Sequence, residues 1–194
     1  NIIMISGPAP EVGKSFISTN LATIFAQSNK KILLLDADVR RGYLHKYFNQ
    51  DYQPGLSEYL NQISPLEQCI KATDVDNLHI MTRGKSPANP SEMLSSERFR
   101  EMLDLLSQQY DHIIIDTPPV LAVTDSIIIA QYSGVNLVVA RYAKTQIKEL
   151  ELTISRFDQA GVKVNGFILN DIQRTSGSSY GYNYAYAYTA NKDD

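Results

Sequence analysis

Three short stretches of the chain carry residues able to handle a phosphate and a divalent cation. The first is Gly7-Pro8-Ala9-Pro10-Glu11-Val12-Gly13-Lys14-Ser15, read as a phosphate loop of the G-x-x-x-x-G-K-[ST] class. Backbone N–H groups of such a loop and of the helix that follows face phosphate oxygens. Lys14 would place a point charge on the β- and γ-phosphates, and Ser15 would offer a hydroxyl to Mg2+. The expected nucleotide contacts are Gly7, Pro10, Glu11, Val12, Gly13, Lys14, Ser15 and Phe16. The second stretch, Ile32-Leu33-Leu34-Leu35-Asp36-Ala37-Asp38-Val39-Arg40-Arg41, sets two carboxylates just past an apolar run. The third, Ile113-Ile114-Ile115-Asp116-Thr117-Pro118-Pro119, is an apolar run ending in Asp. That is the Walker-B arrangement, with the carboxylate aimed at a metal or its waters. Each feature alone has a bland reading, as a glycine turn, a pair of turn aspartates, or a capping Asp before prolines. Three on one chain are hard to assign separately to chance.

These residues need a scaffold that brings them to one edge. Short apolar, β-branched runs at 2–5, 31–35, 78–81, 112–115, 135–140 and 164–169 read as strands. Most are continuous rather than alternating, the pattern of strands buried on both faces of a parallel sheet. Helical spacing fills the gaps. One helix is expected over 14–27. Another follows Asn89-Pro90-Ser91 and ends near Gln108, with Leu94, Phe99, Met102, Leu103 and Leu106 on one face. The last carries Ile147, Leu150, Ile154 and Phe157, with Thr145 as N-cap and Gly161 in a C-terminal left-handed position. Strand–helix alternation predicts an α/β fold with a mostly parallel central sheet flanked by helices, of the P-loop NTPase kind. Ligands of such sheets bind at the carboxyl ends of the strands.

Composition narrows the function classes. Eighteen basic against 21 acidic side chains leave a net charge of −3, so no global basic field draws the chain to nucleic acid. One cysteine, Cys69, excludes an internal disulfide framework. No apolar run reaches the roughly 18 residues of a membrane span, and the opening NIIMIS shows no signal-peptide pattern. The expectation is a soluble, intracellular, globular piece of a longer protein.

The pattern breaks after Leu169. Residues 175–194 contain no Ile, Leu, Val, Met or Phe, too little aliphatic surface to offset chain ordering. The chain therefore divides into a folded domain over 1–174 and a flexible tail over 175–194. Tyr180, Tyr182, Tyr184, Tyr186 and Tyr188 occupy every second position of that tail, spaced by Gly, Asn and Ala. An edge strand with an aromatic face and a functionless sticky tail are the bland readings; beside a phosphate loop, a set of phosphoacceptors is favoured.

Taken together, the loop GPAPEVGKS, the motif ILLLDADVR, the motif IIIDTPP and the tyrosine cluster resemble the bacterial tyrosine kinases (BY-kinases), the cytoplasmic kinase domains of Wzc-like capsule and exopolysaccharide export proteins. NPSEMLSSERF, before the Walker-B run, is also similar to the family. The resemblance implies an ATP- and Mg2+-dependent tyrosine kinase that phosphorylates its own tail between copies, regulating polysaccharide synthesis and export. It implies catalytic roles for Lys14, Asp36, Asp38 and Asp116, with Asp36 as base or orienter of the attacking phenol. Metal would fall to Ser15, Asp38 and Asp116, and Asn170 would contact adenine. A phenol with a pKa of about 10 gains from a nearby carboxylate. Implied partners are further copies in a ring, a membrane polysaccharide co-polymerase domain in the parent chain or in an activator, and a tyrosine phosphatase; nucleic acid is not among them. The implied location is the cytoplasmic side of an inner-membrane-associated protein. The family's arginine-containing oligomerisation motif precedes the first strand, and this chain begins at that strand.

The competing reading is a MinD/ParA-like ATPase switch. Such proteins carry an extra lysine beside the loop's first glycine, where this chain has Pro8 and then Ala9. Arg40 and Arg41 are read as phosphate or tail contacts, or equally as a solvated pair. His45, His79 and His112 show no metal-ligand spacing, and Cys69 is expected to be buried rather than reactive.

Overall fold

The computed structural model describes residues 1–173. The elements are β1 (Ile2–Ser6), α1 (Lys14–Gln27), β2 (Ile32–Asp36), α2 (Leu44–Tyr47), α3 (Leu56–Leu60), α4 (Leu66–Cys69), β3 (Ile70–Ala72), β4 (Leu78–Met81), α5 (Pro90–Leu94), α6 (Glu97–Gln109), β5 (His112–Asp116), α7 (Asp125–Ala130), β6 (Val135–Arg141), α8 (Ile147–Gln159) and β7 (Gly166–Asn170). The seven strands form one sheet in the order β3-β4-β2-β5-β1-β6-β7. Every neighbouring pair is parallel except β3 with β4, so the expected α/β architecture is present.

The continuous apolar runs are explained by two cores. Leu33 and Leu35 of β2 and Ile113 and Ile115 of β5 pack on one face with Phe99, Met102, Leu103 and Leu106 of α6 and Phe157 of α8. Ile32 and Leu34 of β2 and Ile114 of β5 pack on the other with Ala22 and Ala26 of α1. Alternate side chains of a strand point to opposite faces. When both faces are dry, every position must be apolar.

Three local expectations change. The helix expected after Asn89 is two helices, because Ser96 stops α5 and caps α6 through its hydroxyl, which accepts from Phe99 N at 3.3 Å. The N-cap of α8 is Gln146, whose backbone N–H donates to Glu149 Oε2 at 2.8 Å. Thr145 instead accepts Arg141 N–H through its hydroxyl at 2.8 Å, closing the turn after β6. The antiparallel edge strand β3 has no counterpart in the strand pattern; three residues, Ile70, Lys71 and Ala72, are too few to show a period.

Parallel strands deliver their carboxyl ends to one edge. Along it, in sheet order, stand Asp36 of β2, Asp116 of β5, the loop leaving β1, Arg141 of β6 and Asn170 of β7. Acid therefore lies on one side of the phosphate loop and Arg141 and Asn170 on the other.

Candidate active site

The loop 7–13 joins β1 to α1. Counting back from Gly13-Lys14-Ser15, the first position of the four-residue-spaced motif falls on Pro8, and five residues separate Gly7 from Gly13. Gly7 is needed for a different reason. A Cβ there would lie 2.7 Å from Val12 Cγ2 and 2.8 Å from Val139 O, so a side chain would push the loop off β6. Gly13 precedes α1 with φ 98°, a left-handed conformation that glycine adopts without steric cost.

A cleft of about 530 Å3 opens over the loop. Of the expected contacts, Pro10, Glu11, Gly13, Lys14, Ser15 and Phe16 line it, together with Asp38. Gly7 and Val12 stand behind the wall and are buried. Sequence reasoning missed Tyr43, Tyr47, Pro119 and Arg141 on the same cleft. Arg141 had a signal, its place directly after a predicted strand; the two tyrosines, stacked at 5.8 Å, had none.

Beneath Ser15 lies Asp116. Its Oδ2 accepts from Ser15 Oγ at 2.6 Å and its Oδ1 from Ser18 Oγ at 2.9 Å. Burial pushes the Asp116 carboxyl up to about 6, while the two hydroxyls and Lys14 pull it back. Lys14 is held below the ordinary lysine range by burial, against the opposing pull of Asp116 and Asp38. Asp36 is fully buried; burial and then the Asp116 charge raise it well above the usual carboxylate range. Its Oδ2 accepts from Leu44 N at 3.1 Å, and among the described residues its Oδ1 has no partner. Gly42 seals it in, since a Cβ there would stand 2.0 Å from Asp36 Oδ1. Asp36 thus sits under the turn 41–44, whereas Asp38, accepting from Arg41 N at 2.9 Å, faces the cleft.

A cation fits this donor set. Mg2+ at nucleotide sites takes one or two carboxylates and keeps waters and phosphate oxygens for the rest. Ser15 Oγ and Asp116 Oδ2 are already adjacent, and Asp38 lies on the cleft wall. Among the described residues no three His, Cys, Asp or Glu side chains gather as a protein-only cage.

The remaining candidates fall elsewhere. Asn170 Nδ2 donates to Val12 O at 3.1 Å. Arg40 remains exposed but is paired: its Nε lies 2.7 Å from Oδ2 of the buried Asp125, which also accepts from Ser91 Oγ at 2.6 Å. Arg41 lines the cleft. His79 Nδ1 meets Tyr110 OH at 3.1 Å and His112 packs on Phe25, both structural contacts. Cys69 is buried and its thiol is pushed up to about 11 by burial, as befits an inert packing residue. Tyr180, Tyr182, Tyr184, Tyr186 and Tyr188 lie outside the described residues.

Residues 1–166 match the AAA domain family model. The kinase domain of the Escherichia coli tyrosine kinase ETK superposes with a TM-score of 0.87 at 42% identity, over 94% of this chain and 72% of that one. The chain belongs to the bacterial tyrosine-kinase domains. Within that family it is 72% identical over 91% of its length to the tyrosine-protein kinase ptk of Acinetobacter johnsonii, covering 24% of that protein. It is 45% identical over 97% of its length to the tyrosine-protein kinase wzc of Salmonella typhimurium, covering 26% of it. The chain thus spans about a quarter of the length of the curated relatives it matches. The septum site-determining protein MinD of Pyrococcus horikoshii superposes with a TM-score of 0.75 at 23% identity, which shows a shared fold and nothing finer. Among the described residues no helix is long and apolar enough to cross a membrane.

Proposed function

We propose that this domain transfers the γ-phosphoryl group of ATP to tyrosines, and that Tyr180, Tyr182, Tyr184, Tyr186 and Tyr188 are its own acceptors, presented by one copy to another. The observation that carries the reading is the convergence of Lys14, Ser15, Asp38 and Asp116 at one mouth of the sheet. Loop and helix N–H groups and Lys14 would hold the phosphates, and Asn170, whose Nδ2 donates to Val12 O, would contact the adenine. Mg2+ held by Ser15, Asp38 and Asp116 would neutralise charge on the transferred group; little covalent chemistry is asked of the protein.

The acceptor needs its own space. A second cavity of about 480 Å3 shares Pro10, Asp38, Arg41 and Pro119 with the cleft and is walled further by Pro87, Pro90 and Pro118. Proline walls suit a flat ring, and Asp38 at the boundary accepts a hydrogen bond from the phenol. This favours Asp38 over the enclosed Asp36 as the carboxylate facing the acceptor; Asp36 then shapes the turn that carries Arg41. Each phosphate would add about −1.5 to −2 charges, and repulsion among modified tails would open a ring of copies. In the parent protein we place the domain on the cytoplasmic side of the inner membrane, coupled to a polysaccharide co-polymerase domain and countered by a tyrosine phosphatase.

Phosphopeptide mass spectrometry of the chain incubated with ATP and Mg2+ tests this. Phosphate on the tail tyrosines is expected, and deleting 175–194 should remove most labelling while sparing nucleotide binding. Hydrolysis with unmodified tail peptides would instead favour an ATPase switch, against which stand Pro8 and Ala9 where that class carries its extra lysine.

A further inference from the structure

The side of the phosphate loop away from the carboxylates is held by its carbonyls. Arg141, the last residue of β6, donates through Nη1 to Glu11 O at 3.2 Å. Asn170, its register partner at the end of β7, donates to Val12 O at 3.1 Å. Arg141 is itself anchored, with Nε and Nη2 each 2.8 Å from Asp171 Oδ2. Asp171 has φ 58°, a left-handed conformation that Asp tolerates better than most residues. Gly13 admits the Asn170 amide, since a Cβ there would lie 2.0 Å from Nδ2.

A trans peptide is planar, and its C=O and N–H point in opposite directions. Holding Glu11 O therefore turns the Val12 N–H away from Arg141, and holding Val12 O turns the Gly13 N–H away from Asn170. Those two N–H groups run directly into the free N–H groups of Lys14 and Ser15 at the start of α1, the geometry that receives a phosphate. Glu11 also has φ 61°, which a non-glycine residue keeps only when its surroundings hold it. Val120 N and Leu121 N hold the start of the loop through Gly7 O and Pro8 O, and the guanidinium of Arg141 holds Glu11 itself through its carbonyl.

We propose that Arg141, anchored by Asp171 and seconded by Asn170, is a positioning residue that fixes the peptide planes of the phosphate loop and so determines affinity for the β-phosphate. The inference rests on the nucleotide reading of the cleft and adds to it a part borne by the opposite end of the sheet. The ion pair is half-exposed, at 28% and 41%, where such pairs add little to global stability. Its effect should therefore be separable from folding.

The test compares ADP with AMP, which lacks the β-phosphate, by calorimetric titration of the full chain with Mg2+. Arg141→Gln should weaken ADP roughly tenfold, the scale of one lost charge-assisted hydrogen bond, and leave AMP within about twofold. Asp171→Asn should give the same pattern, smaller. Arg141→Lys should not rescue, because an ammonium cannot hold Asp171 and Glu11 O in one rigid fork. The melting temperature should stay within about 2 °C. ADP binding unchanged in Arg141→Gln, or AMP weakened as much as ADP, overturns the proposal. Should Arg141→Gln not fold, Asp171→Asn decides by the same comparison. Failure of the unsubstituted chain to bind ADP overturns the nucleotide reading itself, a result distinct from any variant's.

Discussion

Asp36 and Asp116 stand abreast, register partners at the ends of neighbouring parallel strands β2 and β5, both shut off from solvent. Two carboxylates so placed oppose each other's ionisation, and burial opposes both. The site is therefore strained toward the arrival of positive charge, and Lys14 supplies only part of it.

This strain is measurable without nucleotide. Asp116 is raised from 3.8 in the unfolded chain to about 6 in the fold. The folded state then binds the proton more tightly. The stability this gives is fully present below the unfolded value and is lost as pH rises through about 6. At pH 7 the ionised group costs about 3 kcal/mol. Asp116→Asn should raise the metal-free melting temperature at pH 7 by several degrees, because Ser15 and Ser18 hydroxyls can donate to or accept from an amide. The gain should shrink toward pH 4.5, and tyrosine labelling should vanish. Thermal melts in EDTA across that range check it; a lower melting temperature at pH 7 would falsify the account.

Lys14→Met removes a buried cation from beside these carboxylates. Labelling should drop at least about a hundredfold, as read by phosphotyrosine mass spectrometry. The same change should move Asp116 further above its present value, since Lys14 is one of the groups holding it down. Retained labelling would exclude Lys14 from phosphate binding.

Arg40 is expected to matter for folding rather than for phosphate. It covers the fully buried Asp125, which otherwise keeps, among the described residues, only Ser91 as a side-chain donor. Arg40→Ala should destabilise by about 2–4 kcal/mol, the cost of stranding a buried charge, in urea titrations. Asp125→Asn combined with Arg40→Ala should recover part of that loss.

Glu58 gives the opposite pH signature. Burial pushes it up, but donation from Lys85 N at 2.9 Å, Gln53 Nε2 at 2.8 Å and Gly55 N at 2.8 Å outweighs burial and holds it below 4.5. Its stabilisation is thus present above the unfolded value and lost as pH falls through the lower folded one. Glu58→Gln should cost about 1–3 kcal/mol at pH 7 by turning an amide against those donors, and the difference from the unsubstituted protein should narrow below pH 4.

Much of the scaffold was legible from residue order because it is written in local patterns. Unbroken apolar runs marked two-sided strands, and the Gly13-Lys14-Ser15 step marked a strand-to-helix turn. The spacing of Leu94 through Leu106 marked one helical face but hid the break at Ser96, since α5 and α6 bury the same stripe. β3 was too short to show any period.

Residue order alone determined which faces are dry, where the strands end, and hence that Asp36, Asp116 and the loop share an edge. Folding alone decided what each polar group does there. Asp38 rather than Asp36 faces the cleft because Gly42 closes over Asp36. Arg40 reaches Asp125 across 85 positions and Arg141 reaches Glu11 across 130. A hydrogen bond spanning such distances leaves no periodic trace in the chain; it exists only once the sheet has set those strand ends side by side.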